Sequence, residues 1–392
     1  MSVLTVVEIG MGISIITLSL FYGIYSLILY YFRRKLIRAR LKTSSSSGLF
    51  PKVSLIVPTY NEEKIISKKI KNIEEIDYPE GYLEAIFVDA NSSDRTSKII
   101  EECVENHSGD FKLVKQEERN GYTRGIMEGI VKSEGNIIVL TDTGAYYYSD
   151  AMKQLVKHFD DHEVGAVTGK EIVSGDVGTG PKLERSYRFF YDFMREGETG
   201  IDSTPDSKGE ILAIRKDICQ SLASRLESDD RASFDSCIPY EAKLMGYKTI
   251  YEPSAMYYEY APVLVKDRMK QQVRRGTVLV GALLRYKGML LHRKYGKFGL
   301  FIMPAHLVLD CIMPWVFFLF LFCLSVLTIA DPLKSVIPWA AAAVVALSGK
   351  RSRLFLLSFV QSQLALIMAL FRLARGSWRD SILIDTISST RK

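Results

Sequence analysis

From Ile9 to Phe32 the chain runs without a charged side chain, and Arg33, Arg34, Lys35, Arg38, Arg40 and Lys42 follow at once. About 20 apolar residues cross the hydrocarbon core of a bilayer, so this stretch is long enough to span with some tilt. It is too long for the core of a signal peptide, and no basic segment precedes it. Basic residues gather on the cytoplasmic side of membrane helices. The pattern predicts a transmembrane helix over residues 1–33, with its amino terminus outside and the following chain starting in the cytoplasm. Residues 34–50 continue as a basic stretch and a linker, "KTSSSSGLFPK", whose four serines bury nothing.

With 392 residues, 47% of them hydrophobic, there is room for one large domain beside the membrane segments. The net charge of +6 is modest, and its placement is what informs: Arg33–Lys35, Arg268–Arg275 and Lys350–Arg353 all adjoin apolar stretches. That suits an anionic cytoplasmic leaflet and argues against a nucleic-acid partner. The five cysteines are scattered and lack metal-ligand spacing, which points to a reducing compartment without a disulfide framework.

Residues 51–262 read as α/β. "VSLIVPTYNE", "LEAIFVDANSS", "KLVKQ" and "NIIVLTDTG" are short apolar strands separated by helical periodicity. Such alternation predicts a mostly parallel sheet flanked by helices and buried on both faces. The ligand site of such a sheet lies beyond the carboxyl ends of its strands. Three strands end there in polar clusters: Thr59-Tyr60-Asn61-Glu62, Asp89-Ala90-Asn91-Ser92 and Asp142-Thr143-Gly144. Acceptors and hydroxyls of this kind suit a base and a ribose. Bare phosphate wants a glycine-rich amide loop or a lysine cluster, and no Walker-type or GxGxxG loop follows any strand. This disfavours ATP hydrolysis and Rossmann-type hydride transfer, whereas a divalent cation at Asp142 would handle a diphosphate. Taken alone, Asp142 also reads as the end of a strand–helix turn. "ESDDRASF" also reads as a solvated helix start capped by Ser228 or Asp229, and "QQVRRG" as a basic helix face.

Taken together, "VSLIVPTYNEE", "IFVDANSSDRT", "ERNGYTRGIMEG", "IVLTDTGA", "ESDDRASF", "GYKTIYEPSAMYYEYAP" and "QQVRRG" resemble, in this order, the membrane-bound family 2 glycosyltransferases, relatives of hyaluronan, chitin and cellulose synthases. The resemblance covers about residues 50–280. It implies a GT-A type nucleotide-diphospho-sugar transferase domain and a nucleotide-sugar donor, usually a UDP-sugar. By position, Pro58, Thr59, Tyr60 and Glu62 match the first nucleotide-contacting strand end. Asp89 matches the acid that meets the base, and Asp94 the acid a few residues on. Ala90 stands where the family often has a second acid, and Tyr122 where it often has a lysine, leaving Arg124 to supply positive charge. "TDTG" takes the place of the DxD motif, which makes Asp142 a ligand for Mg²⁺ or Mn²⁺ with Gly144 in place of the second acid. "ESDDRASF" resembles the "TED" or "GDD" motif, whose last acid is the catalytic base, here Asp230. "QQVRRG" resembles QxxRW, so Gln271, Gln272, Arg274 and Arg275 are expected at the donor diphosphate and acceptor. Arg275 occupies the place of the tryptophan that floors the acceptor site, a departure that bears on processivity more than on transfer.

Residues 263–298 mix leucines with Arg285, Lys287, Arg293 and Lys294, as amphipathic interface helices do. Residues 299–392 read as a C-terminal membrane region and tail. Asp310, inside an apolar run, is expected to face a polar path. Residues 354–374 have basic residues on both sides, so they read either as a crossing with a positive tail outside or, the preferred reading, as a re-entrant or interfacial helix. These readings predict an inverting, multi-pass transferase of the plasma membrane with a cytoplasmic catalytic domain, extending and perhaps secreting a polysaccharide. Single addition to a lipid-linked sugar is the alternative. A catalytically inactive nucleotide-sugar binding protein is a third reading, and oligomerisation is left open.

Overall fold

Two apolar layers, one on each face of an eight-stranded sheet, organise the α/β domain. The computed structural model describes residues 2–40, 50–106, 110–175, 177–226 and 233–375. The strands are β1 (Val53–Thr59), β2 (Leu83–Asp89), β3 (Phe111–Lys115), β4 (Ile137–Leu140), β5 (Tyr146–Tyr147), β6 (Val164–Ser174), β7 (Leu212–Arg215) and β8 (Lys248–Tyr260), in the spatial order β3-β2-β1-β4-β7-β6-β8-β5.

The first four strands are parallel, with Thr59 opposite Asp89 and Ile56 opposite Leu140. Their carboxyl ends therefore emerge on one edge, as the sequence predicts. Beyond β4 the expectation of a mostly parallel sheet needs correction. Strand β7 runs antiparallel to both β4 and β6, and β5 runs antiparallel to β8, so the sheet is mixed. The cause is where the chain re-enters. After a long excursion it returns at the carboxyl end of β4, pairing Leu212 with Leu140. That return brings the segment just before β7 next to Asp142.

Helices α2 (Ile66–Glu74), α3 (Thr96–Asn106) and α5 (Ala151–Val156) cover one face through Ile66, Ile70, Ile100 and Leu155. Helices α4 (Tyr122–Lys132), α7 (Lys216–Leu226) and α8 (Phe234–Leu244) cover the other through Ile126, Ile130, Leu222 and Ile238. Removing such side chains from water is the main favourable term in folding, at roughly 25 cal/mol per Å² of apolar surface.

Among the described residues, three helices are long and apolar enough to cross a membrane: α1 (Val3–Arg40), α10 (Phe298–Ala330) and α12 (Lys350–Arg375), with a shorter apolar helix, α11 (Pro332–Leu347), between the last two. Helix α1 continues past its expected end near residue 33. Arg33 pairs there with Glu196, and Arg40 donates to the Tyr251 carbonyl at 2.7 Å, so the basic turns are held against the domain. Helix α12 is unbroken and contains neither glycine nor proline, so it lacks the turn a re-entrant segment needs. Helix α6 (Gly180–Ile201) packs against α1 at two glycines. A β-carbon on Gly197 would lie 2.7 Å from the Leu29 Cβ, and one on Gly200 would lie 2.6 Å from the Phe32 carbonyl oxygen. Helix α9 (Val265–Arg285), which carries "QQVRRG", lies along α12 with Gly276 against Ala369.

Candidate functional site

A continuous cavity of about 840 Å³ runs from the strand ends to the long apolar helices. Pro58, Thr59, Tyr60 and Glu62 line one end, Asp142 the middle, and Gln271, Gln272, Arg274 and Arg275 the wall supplied by α9. Tyr22, His306 and Asp310 line the end at the long apolar helices. There His306 bridges two carboxylates, with Nε2 at 2.8 Å from Glu198 Oε1 and Nδ1 at 3.0 Å from Asp310 Oδ2.

Three sequence candidates are employed differently. Asp89 is buried, and its carboxylate accepts from the Ser92 amide at 3.1 Å and the Ser92 hydroxyl at 2.5 Å, while its neighbours Val88 and Ala90 line the cavity. Asp94 accepts from the Thr96 amide at 2.9 Å and the Glu63 amide at 3.1 Å, so it ties the start of α3 to the loop after β1. Arg124 is exposed on α4, 3.8 Å from Glu128, and borders a second, smaller cavity. Helical geometry explains this: Arg124 sits two residues after Tyr122, which points it away from the face that Tyr122 presents. Arg119 lines the large cavity instead, its guanidinium 4.1 Å from the centre of the Tyr60 ring. Asp230 and its neighbours in "ESDDRASF" before Ser233 lie outside the described residues.

Asp142 is half-buried at the cavity wall and accepts a hydrogen bond from the Tyr122 hydroxyl. Burial pushes its carboxyl up to about 6, Glu210 adds to the rise, and Arg274 and Lys69 oppose it. Asp235, in the first turn of α8, faces the same space, and Ser233 donates to its carboxylate. Burial, then Glu210 and Asp142, raises it to about 7. A carboxyl so poised is half-ionised near neutral pH, which is what a general base for a hydroxyl requires. Glu259, at the end of β8, is pushed up to about 8 by burial and by Glu210 and Glu171.

The cations opposite these acids are built into a buried lattice. Arg275 lies 3.3 Å from Glu184 and 3.6 Å from Glu210. Lys208 donates to Glu171 at 2.9 Å, and Arg188 lies 2.8 Å from the same carboxylate. Glu210 is drawn upward by burial but ends below its ordinary value because Lys208 and Arg275 hold it ionised. Arg275 is therefore a clamp between α9 and the segment before β7, not a flat floor for a sugar ring.

Sequence reasoning passed over Asp235, Arg119, Glu259 and the segment 206–210. A signal existed for Asp235, because "SFDS" places a serine and an acid at a helix start five residues beyond Asp230. The segment 206–210 carried none, since only the antiparallel return of β7 brings it to the site.

Among the described residues no three His, Cys, Asp or Glu side chains form a ready metal cage. The donor set nonetheless fits a cation that is bound jointly. Asp142 offers one carboxylate beside space for phosphate and water oxygens, and Mg²⁺ and similar ions keep several such ligands.

Residues 54–222 match the family described as Glycosyl transferase family 2. A poly-beta-1,6-N-acetyl-D-glucosamine synthase of Staphylococcus epidermidis is 23% identical over 261 residues, 66% of this chain and 62% of the relative's length. A Bacillus subtilis protein named "Probable glycosyltransferase YdaM" is 29% identical over 264 residues, 64% of this chain and 61% of that one. The chain thus spans less than two thirds of these relatives. Among solved structures, the mannosyltransferase PcManGT from Pyrobaculum calidifontis, in complex with GDP-Man and Mn²⁺, is similar over 94% of this chain and 99% of that one, with a TM-score of 0.75 and 26% identity. With a mixed sheet of GT-A type, strand ends gathered on one cavity and a family match across the first seven strands, residues 54–222 form a family 2 glycosyltransferase domain.

Proposed function

We propose that the protein is a membrane-bound glycosyltransferase that moves a sugar, with inversion, from a nucleoside-diphosphate sugar to a hydroxyl of a growing glycan. The observation that carries this is the cavity itself. One space holds the strand ends, the raised carboxyl of Asp235, the α9 wall and the mouths of the membrane helices.

In this reading the nucleotide rests on Thr59, Tyr60 and Glu62, with Arg119 stacked behind Tyr60. Asp142 holds a divalent cation, Mg²⁺ or Mn²⁺, which when bound neutralises diphosphate charge. Arg274 and Gln271 hydrogen-bond the same diphosphate, and a guanidinium fork is suited to it. Asp235 takes the proton of the acceptor hydroxyl as that oxygen attacks the anomeric carbon. The bond from that carbon to the diphosphate oxygen breaks on the opposite face, and nucleoside diphosphate leaves.

The PcManGT complex, similar over nearly the whole chain, makes GDP-mannose the first donor to test. A UDP-sugar, the donor usual in the family, is the second. The synthases similar in sequence support a polysaccharide as acceptor. Hydroxyl, amide and carboxylate groups at the membrane end (Tyr22, Gln363, Asp310) suit sugar hydroxyls. The basic turn at the end of α1 supports a cytoplasmic catalytic domain.

The test is direct. Full-length protein in lipid nanodiscs is given radiolabelled GDP-mannose and a panel of UDP-sugars with Mn²⁺ or Mg²⁺, and the product is sized. A ladder or high polymer supports the polysaccharide reading. A single chloroform-soluble glycolipid replaces it with the lipid-linked acceptor, and turnover of no donor overturns the proposal.

A further inference from the structure

Lys69 is only 1% exposed and lies on α2 among the apolar residues that pack that helix on the sheet. A lysine is almost never buried so completely without a partner. Its hydrogen-bond partners here are uncharged, and its charge reaches the Asp142 carboxylate only through space. The ammonium donates to the Thr141 hydroxyl at 2.9 Å and to the Ala145 carbonyl at 2.5 Å, and it lies 4.9 Å from the centre of the Tyr147 ring.

Those two oxygens mark the two ends of the turn that carries Asp142. A backbone bond from the Ala145 amide to the Asp142 carbonyl, 3.1 Å long, closes the same turn. Next along the helix, Asn72 donates to the Tyr147 carbonyl and accepts from its amide, both at 2.8 Å. Helix α2 thus grips this segment from behind, on the side away from the cavity. Gly144 leaves Asp142 as the only carboxylate in the turn, so its direction has no second acid to share the work. An apolar side chain would fill the same space without the desolvation cost of a charge, yet it would hold neither end of the turn.

We propose that Lys69 is a positioning residue for the donor site, whose ammonium staples Thr141 to Ala145 and so aims the lone Asp142 carboxylate at the cation-bridged diphosphate. This rests on the reading that Asp142 meets that cation. Residues one layer behind a metal ligand commonly change metal affinity or activity by about 10- to 100-fold when removed.

The test uses full-length protein and GDP, or the diphosphate of whichever donor is turned over, with binding measured with and without Mn²⁺. Lys69→Met is expected to weaken Mn²⁺-dependent binding about tenfold and to lower kcat by a similar factor. Metal-free binding and the KM for acceptor should stay within about twofold of wild type. In an Asp142→Asn background, Lys69→Met should cost no further binding, because the lysine acts through that carboxylate. Equal losses with and without metal, or full additivity with Asp142→Asn, overturn the proposal and leave a core lysine. Should Lys69→Met fail to fold, Thr141→Val removes one end of the staple without disturbing the charge, and unchanged Mn²⁺-dependent binding in that variant overturns the proposal equally. If wild type transfers sugar but its nucleotide affinity ignores Mn²⁺, the metal reading falls instead. Lys69 is then judged on kcat alone, and a wild-type kcat in Lys69→Met overturns it.

Discussion

A β-carbon on Gly209 would lie 2.8 Å from Oδ2 of Asp235 and 3.0 Å from the Tyr122 hydroxyl. Position 209 is therefore a gauge of how closely the segment before β7 presses on Asp235 and Tyr122. Both clashing atoms are ends of side chains and can move, so Gly209→Ala should fold normally. What moves, however, is the proposed base and the hydroxyl bonded to Asp142. Misplacing such groups by about 1 Å costs on the order of a hundredfold in rate. Steady-state kinetics should show that loss in kcat, with a melting temperature close to wild type.

The raised carboxyl of Asp235 sets a pH dependence. The base must be ionised, so transfer should rise with pH through about 7 and flatten above it. Asp235→Asn should remove this limb and reduce kcat by roughly 10²- to 10⁴-fold. Stability should run the other way. A carboxyl raised in the folded state favours its protonated form, so its contribution is full below its ordinary value and lost as pH climbs through about 7. Asp142, raised to about 6, acts in the same sense. Thermal unfolding followed between pH 5 and pH 8 should show a falling melting temperature, and Asp235→Asn should shallow the decline.

Arg119 and Arg124 make a controlled pair. The first lines the cavity over Tyr60, and the second sits on the outer face of α4. Arg119→Ala should raise the donor KM about fivefold, the worth of a cation–π contact near 1 kcal/mol. Arg124→Ala should leave it unchanged. The reverse result would restore the sequence-based choice of Arg124.

Arg268 is fully buried and donates to Glu184 at 2.9 Å, Gln361 at 2.5 Å and the Ser358 hydroxyl at 2.6 Å. It therefore bolts α9 to α12 and α6 at once. Arg268→Met leaves Glu184 short of one partner, a change that typically costs on the order of 3 kcal/mol. A clear drop in melting temperature is expected, with a loss of donor affinity because Gln271 and Arg274 ride on the same helix.

The parallel half of the sheet was legible in the sequence because its strands are short apolar runs ending in polar clusters. Thr59, Tyr60, Glu62 and Asp142 share the cavity as a consequence of that topology alone. The bonds that Asp89 makes within its own turn were not legible, for a local reason. A strand-end aspartate three residues before a serine meets its own turn first, and spacing within a motif does not report this. The antiparallel return of β7 is a tertiary event, so Lys208, Gly209 and Glu210 carried no periodic or turn signal of their own. Lys69 was hidden by its surroundings. In the sequence it is one of several lysines on an amphipathic helix, and only the packing of α2 shows which of them points inward.

The paired glycines of α6 have a mechanical meaning. Helix α6 contributes Tyr187, Arg188, Tyr191 and Arg195 to the cavity wall, and Gly197 and Gly200 let its last turns lie backbone to backbone against α1. The Leu29 side chain fills the contact at Gly197, and at Gly200 the Phe32 carbonyl is met directly. A tilt of α1 is therefore handed straight to the cavity wall, and the α/β domain cut free of that helix would lose the strut behind it.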